Sequence, residues 1–204
     1  MPSGRTHDRV TLWSLPLVAS LTFARTQSDR LTLLVAGGFL FGGLMFGPDL
    51  DIRSRQYQRW GWLRWMWLPY QKSLRHRSLL SHGPILGTVL RIVYLGSWIA
   101  LLGIGSILVW ATLQELGGWI ENWQVWAGRT LEQAGTQMVR SLRDNPGEWL
   151  ALGLGIEIGA MSHSACDWGS TLYKHWHKRW QTQGWQGLMA AKKSPKRKRK
   201  KRRR

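Results

Sequence analysis

Thiol chemistry is all but missing from this chain, whose one cysteine is Cys166. An internal disulfide is excluded, and with it any thiolate-rich zinc or iron–sulfur site. Cys166 reads as a small apolar residue in a helix. Acids are scarce too, 11 Asp and Glu against 29 Lys and Arg, for a formal charge of +18. No internal repeat is visible, and 204 residues make one domain by length. The mean hydropathy of −0.26 would suit a soluble protein, but the charges are segregated. Ile92 to Leu113 is 22 residues without a charge, long enough to cross the roughly 30 Å hydrocarbon core as a helix. Lys192 to Arg204 instead holds 11 Lys or Arg in 13 residues.

Four apolar segments stand out. Val10–Ala24 is short, contains Pro16 and follows Arg5 and Arg9, as a signal peptide would. Ala19-Ser20-Leu21 is a poor cleavage site, so the segment reads as an uncleaved helix, thinly spanning or partly re-entrant. Leu31–Phe46 carries Gly37, Gly38, Gly42 and Gly43; such small residues let helices approach closely in lipid. It stops at Gly47-Pro48. The third begins near Pro84 or Arg91 and ends near Leu113, and the fourth is roughly Trp149–Trp168. Between them, Trp119, Ile120, Trp123 and Trp126 recur at three- and four-residue spacing, predicting an amphipathic helix on the membrane surface. Of 15 Trp, the group Trp60, Trp62, Trp65 and Trp67 reads as an interfacial belt. The expected fold is all-α: a polytopic membrane helical bundle of about four spans, with an extramembrane amphipathic helix. It covers residues 1–190, and residues 191–204 form a disordered polybasic tail.

Charge sets the orientation. Arg53–Arg77 has seven bases and no acid, whereas Gln114–Glu148 has five acids and three bases. Basic loops stay cytoplasmic, so both termini are expected inside a plasma (inner) or thylakoid membrane. The tail would then meet anionic lipid headgroups, each basic residue contributing about 1 kcal/mol, or nucleic acid by counterion release.

On that topology the polar clusters converge. Thr6-His7-Asp8, Asp49-Leu50-Asp51, His76-Arg77 with Ser81-His82, and Ser162-His163 with Asp167 all fall at the cytoplasmic ends of the segments. His163 and Asp167, four apart, share one face of a helix. Asp49 and Asp51 can point the same way on a non-helical backbone after Pro48, or Asp51 can pair with Arg53 or Arg55. His7, Asp49, Asp51, His76, His82, His163 and Asp167 make a ligand set for one or two divalent ions, zinc first, then manganese or iron. His76 is a ligand or a catalytic proton carrier, and Arg77 a catalytic anion clamp. Glu157, inside a span, is off the ligand face and reads as a partner of Arg91 or a polar helix–helix contact. His175 and His177 read as solvated or headgroup contacts.

These motifs are similar to those of the membrane-bound metal-dependent hydrolases of the YdjM type. The pattern there is Thr-His at helix one, Pro-Asp-Ile/Leu-Asp after helix two, His-Arg then Thr/Ser-His before helix three, and Ser-His with an Asp four residues after that His. In this chain the pattern reads Thr6-His7, Pro48-Asp49-Leu50-Asp51, His76-Arg77 with Ser81-His82, and Ser162-His163 with Asp167, in order over residues 5–170. The longer strings Pro2-Ser3-Gly4-Arg5-Thr6-His7-Asp8 and Ser81-His82-Gly83-Pro84 also resemble a narrower cyanobacterial and archaeal group of metal-binding proteins. Two departures are Ile52, where the family often has His, and a longer gap from His76 to His82. The resemblance implies phosphodiester chemistry, by the family's likeness to zinc phospholipase C and P1-nuclease folds.

Three functions follow. The first is a metal-dependent hydrolase acting on a phosphoester or lipid-derived substrate at the cytoplasmic face. The second is a non-catalytic metal-binding or metal-handling membrane protein. The third is a membrane-anchored binder of anionic lipid or nucleic acid acting through residues 192–204.

Overall fold

Ser28 begins the first long apolar helix: its hydroxyl accepts the Leu31 N–H (3.3 Å), and Asp29 places a carboxylate at the positive helix end. That helix, α2 (Asp29–Leu44), pairs with α1 (Gly4–Thr26) across a turn in which Gln27 takes φ 50°. The computed structural model describes residues 4–74 and 78–189, without the side chains of 79, 175, 179 and 182–189. His76, Arg77 and the tail 192–204 lie outside the described residues.

After α2 come a 3-10 turn (Pro48–Asp51), α3 (Arg55–Gln58), a second 3-10 stretch (Gly61–Trp67) and α4 (Leu68–Ser73). The short α5 (Leu79–His82) leads into α6 (Leu86–Leu116), which Gly117 and Gly118 (φ 72°) terminate. Asn122 caps α7 (Trp123–Asp144), taking the Val125 N–H at 3.0 Å. Pro146, set for a first helical turn, opens α8 (Pro146–Met189). Every regular element among the described residues is helical.

Four apolar segments were expected to span. Two helices, over Asp29–Asp51 and Leu86–Leu116, are long and apolar enough to cross a membrane. α1 carries Arg5, Asp8 and Arg9 in its opening turns, and α8 is interrupted by Glu157, His163 and Asp167, which dilutes both. An amphipathic helix exists as α7, but of the four residues that predicted it only Trp123 and Trp126 are in it; Trp119 and Ile120 lie in the link before it.

The chain divides into two units, Pro2–Cys166 and the part from Asp167 onward. In the first, α2 and α8 meet backbone to backbone. A Cβ on Gly42 would collide with the Ile156 carbonyl, and one on Gly159 with that of Phe39. Gly38 and Gly155 are closed in the same way, by Leu152 and Val35. Reciprocal pairs of glycines four apart therefore bring the axes together. On the other side of α2, Gly43 faces the Thr11 side chain of α1, while Gly37 faces nothing within 4 Å.

The core lies under the link between α2 and α6: Phe46, Leu50, Tyr57, Trp67, Tyr70 and Ile156. This corrects the reading of the tryptophan group as one interfacial belt. Trp67 is wholly buried and Trp60 packs beside it (5.2 Å between ring centroids), whereas Trp62 is 80% exposed and Trp65 42%. In the second unit, Tyr173 stacks on His177 (5.8 Å), whose Nε2 lies 3.0 Å from Gln181 Nε2.

Candidate metal centre

The site is built from four separate stretches of the first unit. On α1, Gly4 leaves room for the stem of Arg55. Asp8 grips Arg55 (2.8 Å) and both terminal nitrogens of Arg59 (2.7 and 2.9 Å). Those ties fix the first turns of α1, and with them the buried His7. Thr11, one turn on, returns its hydroxyl to the His7 carbonyl (3.1 Å).

The α2–α8 crossing sets the next pieces. Asp49 lies just past the end of α2 and His163 four residues beyond Gly159 on α8. A non-helical backbone was expected after Pro48; the chain makes a 3-10 turn instead. Leu50 anchors that turn in the core, and Gln71 Nε2 donates to the Leu50 and Ile52 carbonyls (both 3.0 Å). With Leu50 held inside, the aspartates on either side are left to the site. Gly47 accommodates the Gln56 amide, whose Nε2 donates to the Gly43 carbonyl (2.9 Å).

Asp49 stands at the centre. Its Oδ2 lies 3.0 Å from His163 Nε2, and its Oδ1 3.5 Å from His82 Nε2. The other nitrogen of His82, Nδ1, faces Asp51 Oδ2 at 3.7 Å and the Ser81 hydroxyl at 3.0 Å. Both aspartates therefore flank one imidazole. The His7 ring stacks on His163 with centroids 3.8 Å apart. His163 is buried and the Asp51 carboxylate fully so, whereas Asp49 and His82 each keep about 20% of their side chain exposed. One side of the cluster is thus open.

Asp167 follows His163 by one turn of α8 and so shares its helix face; it is the first residue of the second unit, and its carbonyl accepts from Ser170 and Thr171. Of the seven predicted ligands, His7, Asp49, Asp51, His82 and His163 meet in the first unit. His76 and Arg77 fall outside the described residues. Asp51 faces His82 rather than Arg53 or Arg55, and Arg55 belongs to Asp8. Glu157 makes the helix–helix contact, accepting the Ile85 N–H at 2.9 Å. Sequence reasoning missed Asp8 as an anchor, although it stood in the first cluster, and Ser81 as the partner of His82 Nδ1.

The donor set suits a divalent ion. Three imidazoles and two carboxylates converge, and the buried His163 Nδ1 has no hydrogen-bond partner among the described residues. Asp49 Oδ2 and His163 Nε2 are within hydrogen-bond distance at 3.0 Å; because an imidazole must give up its proton to ligate, metal binding here competes with acid. Ser81 at Nδ1 (3.0 Å) stands where outer partners of metal-bound histidines stand, and it helps hold the His82 ring with Nε2 towards Asp49. Nearby, burial pushes the Tyr70 hydroxyl above its ordinary value, against the opposing pull of Arg91, so Tyr70 is neutral.

Comparison with known proteins agrees with the donor set. The chain belongs to the family described as "Uncharacterized metal-binding protein (DUF2227)", which matches residues 2–177. An uncharacterized protein of Aquifex aeolicus (strain VF5) is 41% identical over 59 residues, covering 28% of this chain and 41% of its own. The chain thus spans less than half the length of that relative. No solved structure matches.

Proposed function

Taking membership of a metal-binding family as the premise, we propose that this chain is a membrane-bound metal-dependent hydrolase of phosphoester or lipid-derived substrates, with its site at the cytoplasmic face. The observation that carries the reading is Asp49, whose two oxygens face Nε2 of two different histidines. A carboxylate so placed suits one ion held with His163 or two ions sharing it.

His7, Asp49, Asp51, His82 and His163 would hold the ion or ions, with Asp167 on the His163 face of α8. Zinc is the first candidate, manganese or iron the next. When bound, such an ion brings the pKa of a coordinated water near neutrality. The partly exposed edge at Asp49 and His82 is where a substrate would enter. His76 would carry the proton to the leaving group, and Arg77 would hold the substrate anion. The motif resemblance to YdjM-type hydrolases supports the reaction class.

Membrane insertion through α2 and α6, with α1 and α8 as the outer spans of a four-span bundle, is part of the proposal. The charge pattern supports cytoplasmic termini. It also supports contact of residues 192–204 with anionic lipid headgroups in preference to nucleic acid.

Elemental analysis of detergent-purified protein is the decisive measurement. At least one divalent ion per chain is expected, and it should be lost in the double variant His163→Ala, Asp167→Ala at unchanged helix content. A folded wild type with no metal ends the proposal. A metal-replete protein inert towards bis(p-nitrophenyl) phosphate and phospholipid vesicles removes the hydrolase and leaves metal handling.

A further inference from the structure

His82 reaches the centre on a turn that is costly to hold. At its end Ile85 takes φ 62°, ψ −59°, a region that β-branched side chains avoid. Such strain persists when the surroundings over-determine it. Here two ionisable side chains grip the turn, one at each end. Arg91 of α6, only 2% exposed, donates Nη1 to the Ser81 carbonyl (2.9 Å) and Nη2 to the Thr88 hydroxyl (2.8 Å). Glu157 of α8 accepts the Ile85 N–H (2.9 Å). Gly87 permits the approach, since a Cβ there would sit 2.9 Å from the Ser81 carbonyl.

Between the two grips lies a cavity of about 40 Å³, lined by Ser81, His82, Thr88, Arg91, Glu157 and Ser164 among others. Pro48, Pro84, Ala160 and Met161 make most of its wall apolar. Placing a buried guanidinium and a carboxylate in apolar surroundings is expensive. If α6 needed only a cap, a Ser or Asp at position 85 would satisfy its first N–H groups at lower cost. What this arrangement adds is a fixed carbonyl before His82 and a fixed N–H after it.

We propose that Arg91 and Glu157 are positioning residues for His82. They lock the strained Ser81–Ile85 turn in the conformation that sets the imidazole between Asp49 and Asp51, and so determine how tightly the site holds a divalent ion. The inference rests on the metal-centre reading above.

The test uses full-length protein in detergent, with Co²⁺ as the probe ion and its visible absorption bands as the readout of ligand geometry. Wild type should bind Co²⁺; if it does not, the metal centre and the clamp fall together. Glu157→Ala should bind about 10–100-fold more weakly, as when an outer partner of a metal ligand is lost, with shifted bands and unchanged helix content. Unchanged affinity in that variant sinks the clamp alone. Glu157→Gln keeps an oxygen acceptor and should stay within about 3-fold of wild type; if it is as weak as Glu157→Ala, charge rather than the grip on Ile85 matters and the proposal fails. Adding Ile85→Gly to Glu157→Ala should restore at least half of the lost free energy, because glycine takes positive φ without strain. A general loss of packing would not be repaired that way. Should Glu157→Ala not fold, Arg91→Lys decides: a lysine cannot reach Ser81 and Thr88 together as the guanidinium fork does, and full affinity in that variant refutes the clamp.

Discussion

α2 and α6 are both long and apolar enough to cross a membrane, yet they meet their surroundings in opposite ways. In its most apolar stretch, the α2 segment has 44% of residues buried within the chain, and α6 has none. α2 spends its sequence on glycines and lets backbones touch; α6 keeps large side chains such as Ile99, Leu101, Val109 and Leu113 exposed. Beyond Arg91, Ala111 is the only buried residue of α6. Apolar sequence therefore does two jobs in this molecule. In α2 it builds the scaffold that aims Asp49 at His163, and in α6 it supplies a surface that water would not tolerate uncovered. The site lies at the scaffold side of that division, and α6 reaches it through its first turns, where Arg91 holds the Ser81 carbonyl and Leu90, Tyr94 and Leu95 pack on the core.

The sharpest way to break this comparison is through tryptophan, since the same residue serves both roles. Trp67→Ala empties the centre of the core under the Pro48–Asp51 turn and should cost about 3–5 kcal/mol. Trp62→Ala, removing a ring that is 80% exposed, should leave the detergent-state melting temperature within about 2 °C of wild type. Thermal unfolding followed by circular dichroism checks both. Equal losses would mean that Trp62 is covered by protein in solution and that the division into scaffold and surface is wrong.

Glycine gives the second, smaller contrast. A Cβ on Gly42 has the Ile156 backbone in its way, so Gly42→Leu must push α2 off α8, costing about 1–3 kcal/mol or more. Because the same contact aims Asp49 at His163, metal content should fall with stability. Gly103→Leu on α6 meets nothing within 4 Å and should change neither. A stable Gly42→Leu protein with full metal would uncouple the crossing from the site.

These contrasts also mark what the sequence could say. The helices, the amphipathic α7 and the meeting of His7, Asp49, Asp51, His82 and His163 were legible, because helical periodicity and the ends of apolar runs are local signals. Gly38, Gly42 and Gly43 were legible as packing residues, but their partners Gly155 and Gly159 were not singled out. Whether a tryptophan is buried was not legible: Trp60 and Trp62 stand two residues apart in one basic stretch, and long-range packing alone separates them. Arg91 and Glu157 were seen as a pair of opposite charges in apolar sequence. Their division of labour on the two ends of one turn depends on the strained backbone at Ile85, for which a β-branched residue gives no warning. The expectation of about four spans, the first thinly spanning or partly re-entrant, rests on charge segregation and gives too little weight to the polar residues inside α1 and α8.

The smallest effect separates the two ends of α2. Near its C-terminal end, Asp8 ties α1 to Arg55 and Arg59, and Arg59 Nη1 also caps the Leu44 carbonyl (2.7 Å). At its N-terminal end, Arg30 meets Glu148 of α8 at 2.8 Å, with the Arg30 side chain 72% exposed. Distance alone would rank the two pairings equal. Isolated exposed ion pairs contribute little, because ordering two long side chains in water offsets most of the attraction. Asp8 differs in holding two guanidiniums, one through both of its terminal nitrogens, with only 17% of its side chain exposed. Asp8→Asn should therefore cost about 1 kcal/mol and weaken metal binding several-fold, since His7 is its neighbour, with both losses shrinking in wild-type comparisons made at high salt. Arg30→Gln should alter neither melting temperature nor metal content. Titrating Co²⁺ into both variants at about 0.05 M and 0.5 M salt decides the matter. If Asp8→Asn binds as wild type does at both, the grip on Arg55 and Arg59 holds α1 against the rest of the fold without steering His7, and the first of the four clusters owes its place to stability rather than to the site.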